Sequence, residues 1–432
     1  MMIRSLRRRL FGEHTSLILA SVVIGLLAAL AAVALKSGVN ELTRLLHGYL
    51  FGDRRELLTL VIPTLGILLC VLFTHYWLKG DLGRGLPSLL RNIKENESVV
   101  QTHKLYSQVI TSILTMGAGG SAGMEAPIAS TGAAFGSKVA VWLKFDKATR
   151  TLLLACGSAA GISAIFNAPI AGAIFAMEVL LVNVAIPQVV PVLISSASAA
   201  FLSSLIYKGQ PFVLISDSWS AAALPWYIGL AFFGAFVSMW CIRSYFVVGE
   251  QLNRVKSPFA RALTGGGLLG ALILFFPPLL GEGYDSVEHL LLRTTAPLTA
   301  HSPFILPLGQ WSLEALALGL LLLKAIATSL TVHAGGNGGM FGSSLFTGAM
   351  TGFAFAHGAN LLGLAHLNEV NFIVVGMAAV LSGTIHVPLT AIFLIAEITG
   401  GYALFVPLMI VSALSYFISR SLVGYSVYNR PK

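Results

Sequence analysis

A chain of 432 residues with 56% hydrophobic and 10% charged side chains has too few polar groups for an ordinary soluble domain, and a lipid bilayer is the solvent that suits it. The net charge of +9 follows the placement of Lys and Arg beside apolar stretches, a topological bias, and gives no ground for nucleic-acid binding. Cys70, Cys156 and Cys241 stand singly in apolar surroundings, with neither metal-ligand nor disulfide spacing, and read as buried thiols.

Arg4, Arg7, Arg8 and Arg9 precede the first apolar stretch, residues 15–35, which is long and has no cleavage signal before a polar mature segment, so it reads as a retained helix. Further stretches at 57–78, 226–242 and 404–420 are each near the roughly 20 residues needed to cross a core about 30 Å thick. The fold class expected is an all-α, polytopic membrane protein. The arginines, with Lys79, Arg84, Arg91, Lys94 and Lys104, place the N-terminus in the cytoplasm by the positive-inside bias, although Arg54 and Arg55 dissent.

Three Gly-rich breaks interrupt the apolar pattern: GRGLP at 83–87, GMEAP at 123–127 and GGMFG at 338–342. The second lies in AGGSAGME, from Ala118, and the third in AGGNGGMF, from Ala334, an offset of 334 − 118 = 216. Downstream, GSAAGISA from Gly157 matches GMAAVLSG from Gly376, and NAPIAGAIFAMEV from Asn167 matches HVPLTAIFLIAEI from His386, an offset of 386 − 167 = 219. Three elements in one order are an internal repeat. Its boundary falls in the polar, Pro-containing stretch at 208–225, giving a first membrane repeat over 1–222 and a second over 223–432. Periodicity leaves open whether the halves are inverted.

Irregular backbone at membrane depth survives only where it lines a cavity or is buried in protein. A break that ends in a new helix presents free N–H groups and about half a positive charge, which suits an anion. Glycine brings backbone close to an ion, and proline costs nothing in a helix's first turn. Paired Gly/Pro-interrupted segments in a repeat are a pointer to a transporter site near the bilayer midplane. Glu125 is the lone acid of the second break. Two readings stand for it: a functional intramembrane carboxylate, or a membrane-edge carboxylate in contact with water.

On these residues the chain resembles the CLC family of chloride channels and chloride/proton antiporters, prokaryote-like and without CBS domains. GRGLP is similar to the family's GSGIP, GMEAP to GREGP and GGMFG to the start of GxFxP. SAAGISAIFNAPIAGAIFAMEV, GEGYDS at 281–286 and GYS at 424–426 also find counterparts. The resemblance implies an inverted repeat of tilted and broken helices. It also implies a homodimer with one pore per subunit, both termini cytoplasmic, in a bacterial inner membrane. The chain stops soon after Tyr425, so no cytosolic CBS pair is expected. No cofactor or metal is expected; chloride is the ligand, and inorganic anions, protons and membrane lipid are the partners.

The resemblance gives Glu125 the role of gating glutamate, occupying an anion site when ionised and leaving it when protonated. Loss of water and an anionic neighbour both favour a protonated carboxyl, so proton and anion binding support each other. Anion ligands would come from Gly83, Arg84 and Gly85, from Met124 and Ala126, and from Met340 and Phe341. Tyr425 would close the inner side, with Tyr428 near enough to compete for that role, and either tyrosine could be an interfacial anchor. Arg84 departs from the family's serine. Val179 departs from the antiporters' inner glutamate, and Glu178 points about 100° away from it around the helix; with its counterpart Glu397, Glu178 reads as capping or dimer-side. The function expected is anion transport with glutamate gating, either chloride/proton antiport or a voltage-gated-type chloride channel. The alternatives are a fluoride-selective exporter of the same family and, from another class, a membrane-embedded hydrolase using Glu125 as base.

Overall fold

A computed structural model describes residues 2–51, 55–83, 85–181, 186–207, 218–294 and 309–430. Among them sixteen α-helices carry the chain and no strand forms, so the fold is all-α. They are α1 (Met2–Phe51), α2 (Arg55–Trp77), α3 (Gly85–Glu95), α4 (Ser107–Gly117), α5 (Glu125–Trp142), α6 (Lys147–Phe166), α7 (Pro169–Val179) and α8 (Ile186–Ile206). Then follow α9 (Leu224–Asn253), α10 (Pro258–Phe275), α11 (Tyr284–Leu291), α12 (Ser312–Ala334), α13 (Met340–Leu361), α14 (Glu369–Ile385), α15 (Pro388–Ile398) and α16 (Phe405–Val423).

Eight of the described segments are long and apolar enough to cross a membrane, among them Gly12–Leu46, Leu58–Trp77, Ala221–Asn253 and Phe405–Val423, which contain or overlap the four apolar stretches expected. The first runs well past residue 35. The polar residues after it continue the helix instead of ending it, and α1 bends only at Gly12 (φ 64°, ψ 167°). Cys70, Cys156 and Cys241 are buried free thiols.

The trace divides into two compact units. The first is Met1–Gly38, Thr74–Ser112 and Met124–Pro211; the second is Val39–Phe73, Ile113–Gly123 and Phe212–Lys432. In the first, α5 crosses α6 with Gly132 over the Gly157 backbone and Gly136 over the Leu153 backbone, so close that a Cβ at any of these glycines would strike main-chain atoms. Small residues permit this approach, which brings dispersion contacts that larger side chains would forbid. Helix α8 also packs on α6, with Ser195 Oγ donating to Cys156 O (3.1 Å) and Ser203 Oγ to Ala164 O (2.8 Å). Lys36 of α1 donates to Ile165 O at the end of α6.

The second unit repeats this construction with other residues. Helix α13 crosses α14 with Gly348 over Gly376 and Gly352 over Phe372, each pair displaced from its first-unit equivalent by the offsets of 216 and 219. Helix α16 packs on α14 through Ser415 Oγ to Ala379 O (2.7 Å) and Ser419 Oγ to Gly383 O (2.8 Å). The helix stops match as well. Asn167 ends α6 and His386 ends α14, both left-handed (φ 54° and 65°), each followed by one non-helical residue and a helix that starts on proline. His386 thus closes one helix just ahead of the next. Tyr227 of α9 stacks on Phe372 at 4.4 Å, anchoring α9 to α14.

Candidate anion site

The breaks form where glycine ends one helix and lets another begin. After α4, the Gly120 N–H turns back to Thr115 O (2.8 Å) and Gly119 takes φ +91°. After α12, the Gly336 N–H turns back to Thr331 O (3.0 Å) and Gly335 takes φ +122°. Residues 113–123 and 331–339, all within the second unit, then meet. Gly123 and Gly339 exchange backbone hydrogen bonds in an antiparallel bridge, at 2.9 and 3.0 Å. Ser121 N–H donates to Thr331 Oγ1 and Asn337 N–H to Thr115 Oγ1, both at 3.0 Å. Buried backbone donors at these breaks therefore find side-chain acceptors, as burial requires.

One residue beyond Gly123 the chain passes Met124 and opens α5 on Glu125. Glu125 is 1% exposed, and Met124 and Ala126 are buried beside it. A carboxylate in contact with water at a membrane edge would be more accessible than this. On the other break, Gly339 is extended (φ −149°, ψ 169°) and α13 opens on Met340 and Phe341, both buried. Ser343, one turn in, shares a 2.7 Å hydrogen bond with Thr328 Oγ1. The first turn of each helix offers N–H groups that no intrahelical carbonyl can accept.

The first break lies within the first unit. Gly83 (φ +57°) and Gly85 (φ +65°) flank Arg84, which is outside the described residues, and α3 starts at Gly85. Side chains from the turn at residues 101–108 hold this loop: Gln101 Nε2 donates to Asp81 Oδ2 (2.7 Å), Gln108 Nε2 to Leu82 O (2.8 Å) and Lys104 Nζ to Ser88 Oγ (2.8 Å). Lys104, expected as a loop charge facing the cytoplasm, is instead 1% exposed. Sequence reasoning missed it because a lysine in a polar stretch carries no mark of burial. Lys324 was missed likewise: it is fully buried in α12, donating to Leu279 O (3.1 Å) and Gly281 O (2.8 Å) and facing the Phe346 ring at 4.8 Å. The GEGYDS motif, whose first residue is Gly281, gave the one signal that could have found it.

Tyr425 follows the left-handed Gly424 that closes α16. Its ring meets the Phe246 edge at 5.7 Å and lies 5.6 Å from the Arg430 guanidinium, which also pairs with Glu250 at 2.6 Å. Tyr428 is half-buried, with its N–H on Ser426 Oγ at 3.3 Å. Glu178 and Val179 are both half-buried in the last turn of α7, and Glu397 is half-buried in α15. The structure thus joins Gly123 and Gly339 inside the second unit, braces the first break inside the other, and sets Tyr425 among the residues of α9 and the C-terminal tail.

The chain matches the family model described as "Voltage gated chloride channel" over residues 66–420. A ClcB-like protein of Ralstonia nicotianae is 30% identical over 94% of both chains. An H(+)/Cl(−) exchange transporter ClcA of Vibrio parahaemolyticus is 26% identical, over 96% of this chain and 89% of its own length. Among solved structures, a slow cyanobacterial Cl⁻/H⁺ antiporter superposes with a TM-score of 0.81 at 22% identity, over 96% of each chain, a likeness of fold. With a family model spanning most of its length and relatives matched end to end, this chain belongs to the voltage-gated chloride channel (CLC) family.

Proposed function

We propose that the protein moves chloride across a lipid bilayer and that Glu125 gates the path. The observation that carries this reading is the burial of Glu125, the single acid of the second break, at the first residue of α5, shortly after the Gly123–Gly339 pairing. A bare anion taken out of water needs compensation of many kcal/mol on the Born estimate. Helix N-termini, each worth up to about 2 kcal/mol in partly buried geometries, supply part of it without holding the ion too tightly to leave. In this reading Gly83, Arg84 and Gly85, Met124 and Ala126, and Met340 and Phe341 give backbone donors, and Tyr425 gives a hydroxyl. Glu125 competes with chloride for the same donors, and protonation removes the competitor.

Val179, at the end of α7, is apolar where an inner proton relay would need an acid, and this favours passive or weakly coupled chloride movement over tight exchange. The names of the relatives include both a channel-like protein and an exchanger. A homodimer with cytoplasmic termini in a bacterial inner membrane completes the proposal. The test is chloride efflux from liposomes holding the purified protein, with simultaneous proton recording. Efflux with protons moving in fixed ratio against chloride makes it an exchanger, and efflux without them a channel. Absence of efflux under every gradient overturns the reading.

A further inference from the structure

Lys104 is buried to 1% exposure, lies outside the eight candidate spans, and makes one hydrogen bond among the described residues, to Ser88 Oγ. An ammonium has three donors, so two have no acceptor among the described residues. The Ser88 hydroxyl in turn lies 2.7 Å from Gly83 O and 3.0 Å from Gly85 O, the two carbonyls that flank the first break. A Cβ built on Gly83 would meet Lys104 Nζ at 2.5 Å and Cε at 2.6 Å, so the lysine fills the space that a side chain at residue 83 would take. A cation is thereby pressed against the loop whose backbone the proposed function assigns to the anion.

We propose that Lys104 supplies a titratable positive charge beside the first break, in addition to Arg84 of the break itself, positioning the backbone at Gly83 and Gly85 through Ser88 and strengthening its hold on a small inorganic anion. The inference rests on the chloride-transport reading and adds to it a charged group that this reading did not use. Burial of this kind is costly for an ammonium unless an anion or other acceptor completes it. Asp81, on the loop ahead of α3, is the acid whose charge acts on Lys104, while Arg91 of α3 opposes its protonation. His103 is its neighbour on the same turn, and α5, packed against that turn, carries Glu125 and Lys138. Burial pushes the Lys104 ammonium down to about 8, against the attraction of Asp81. The charge is therefore present below about pH 8 and lost above it, and anion binding at the break weakens as pH rises through that value.

The experiment uses the full chain with Glu125→Gln, which removes the competing carboxylate, and measures chloride binding by titration calorimetry at about pH 6.5 and about pH 9.5. The expected result is binding about tenfold weaker at the higher pH, the scale of one nearby charge at partial burial. Lys104→Met added to this background should bind weakly at both values. Lys104→Arg, which keeps its charge throughout, should bind tightly at both. A lysine that merely braced the loop would leave the pH dependence in place in either variant, and that result overturns the inference. Should Lys104→Met fail to fold, Lys104→Arg alone decides. Failure of chloride binding in the Glu125→Gln protein at every pH would overturn the transport reading itself, a different outcome from intact binding with an unaltered pH profile.

Discussion

Thr115 and Thr331 each place Oγ1 3.0 Å from a backbone N–H of the other's repeat, Thr115 serving Asn337 and Thr331 serving Ser121. The two acceptors are 331 − 115 = 216 residues apart and so are the two donors, 337 − 121 = 216, so one hydrogen bond has been written twice with its partners exchanged. Between them Gly123 and Gly339, at the same offset, trade both backbone bonds. Reciprocal antiparallel pairing of equivalent residues is what a local two-fold axis produces, and it ties the two breaks to one another.

Removing either hydroxyl should therefore cost stability by the same mechanism and to a similar degree. Thr115→Val and Thr331→Val keep shape but leave a buried N–H without its acceptor, a loss of about 1–3 kcal/mol each. Thermal unfolding in detergent should show both variants melting below the parent. A melting point unchanged in either would show that water or a shifted main chain replaces the hydroxyl.

Much of this duplication was legible before any coordinates. The offsets of 216 and 219, read from AGGSAGME against AGGNGGMF and from NAPIAG against HVPLTA, also relate Gly132 to Gly348, Gly157 to Gly376 and Asn167 to His386 in three dimensions. Glycine and proline report backbone geometry directly, so breaks made of them show in one dimension. Burial of a lone charge does not show. Lys104 sits in a polar stretch and Lys324 within an apolar one, yet both are buried, because what decides is which carbonyl or hydroxyl the fold brings opposite the ammonium. Helix α1 also runs on past the apolar stretch at 15–35, because the polar residues that end the stretch carry no helix stop.

The α5–α6 crossing should tolerate no side chain at Gly157. A Cβ there would stand 2.5 Å from the Gly132 carbonyl carbon and 3.2 Å from Ala133 N, main-chain atoms that cannot move aside alone. Gly157→Val is expected to separate the helices and cost about 4 kcal/mol or more, among the largest single-site effects. Size-exclusion chromatography should show aggregated or absent protein. A monodisperse protein with the parent's melting point would mean that the crossing relaxes cheaply.

Glu125→Gln should keep chloride flux and flatten its pH dependence below about pH 7, because the amide is a neutral mimic of the protonated gate. The sign follows from the proposed competition: if the ionised carboxylate excludes chloride, flux through the parent rises as pH falls, and a side chain that cannot ionise stays permissive. Stopped-flow efflux from liposomes across that range reads both quantities. A Gln variant that follows the parent's profile would remove Glu125 from the gate.

The two tyrosines near the C-terminus can be separated by their hydroxyls. The Tyr425 ring is held by the Phe246 edge and the Arg430 guanidinium, contacts that use the aromatic face and edge and leave the phenolic oxygen to another task. Tyr425→Phe should therefore leave the melting point within about 1 kcal/mol of the parent in stability terms while weakening chloride binding several-fold, as expected when a buried anion loses one hydroxyl donor. Tyr428→Phe should leave chloride binding unchanged. Calorimetric titration of the two variants decides between them. A loss confined to Tyr428→Phe would move the inner ligand three residues along the tail, and parent-like binding in both would reduce Tyr425 to an anchor for the chain end. The Arg430–Glu250 pair is largely solvated at 39% and 60% side-chain exposure, so it adds little stability. Arg430→Ala accordingly tests the ring's placement, and it should lower chloride affinity in the same direction as Tyr425→Phe, and by less, without a change in melting point.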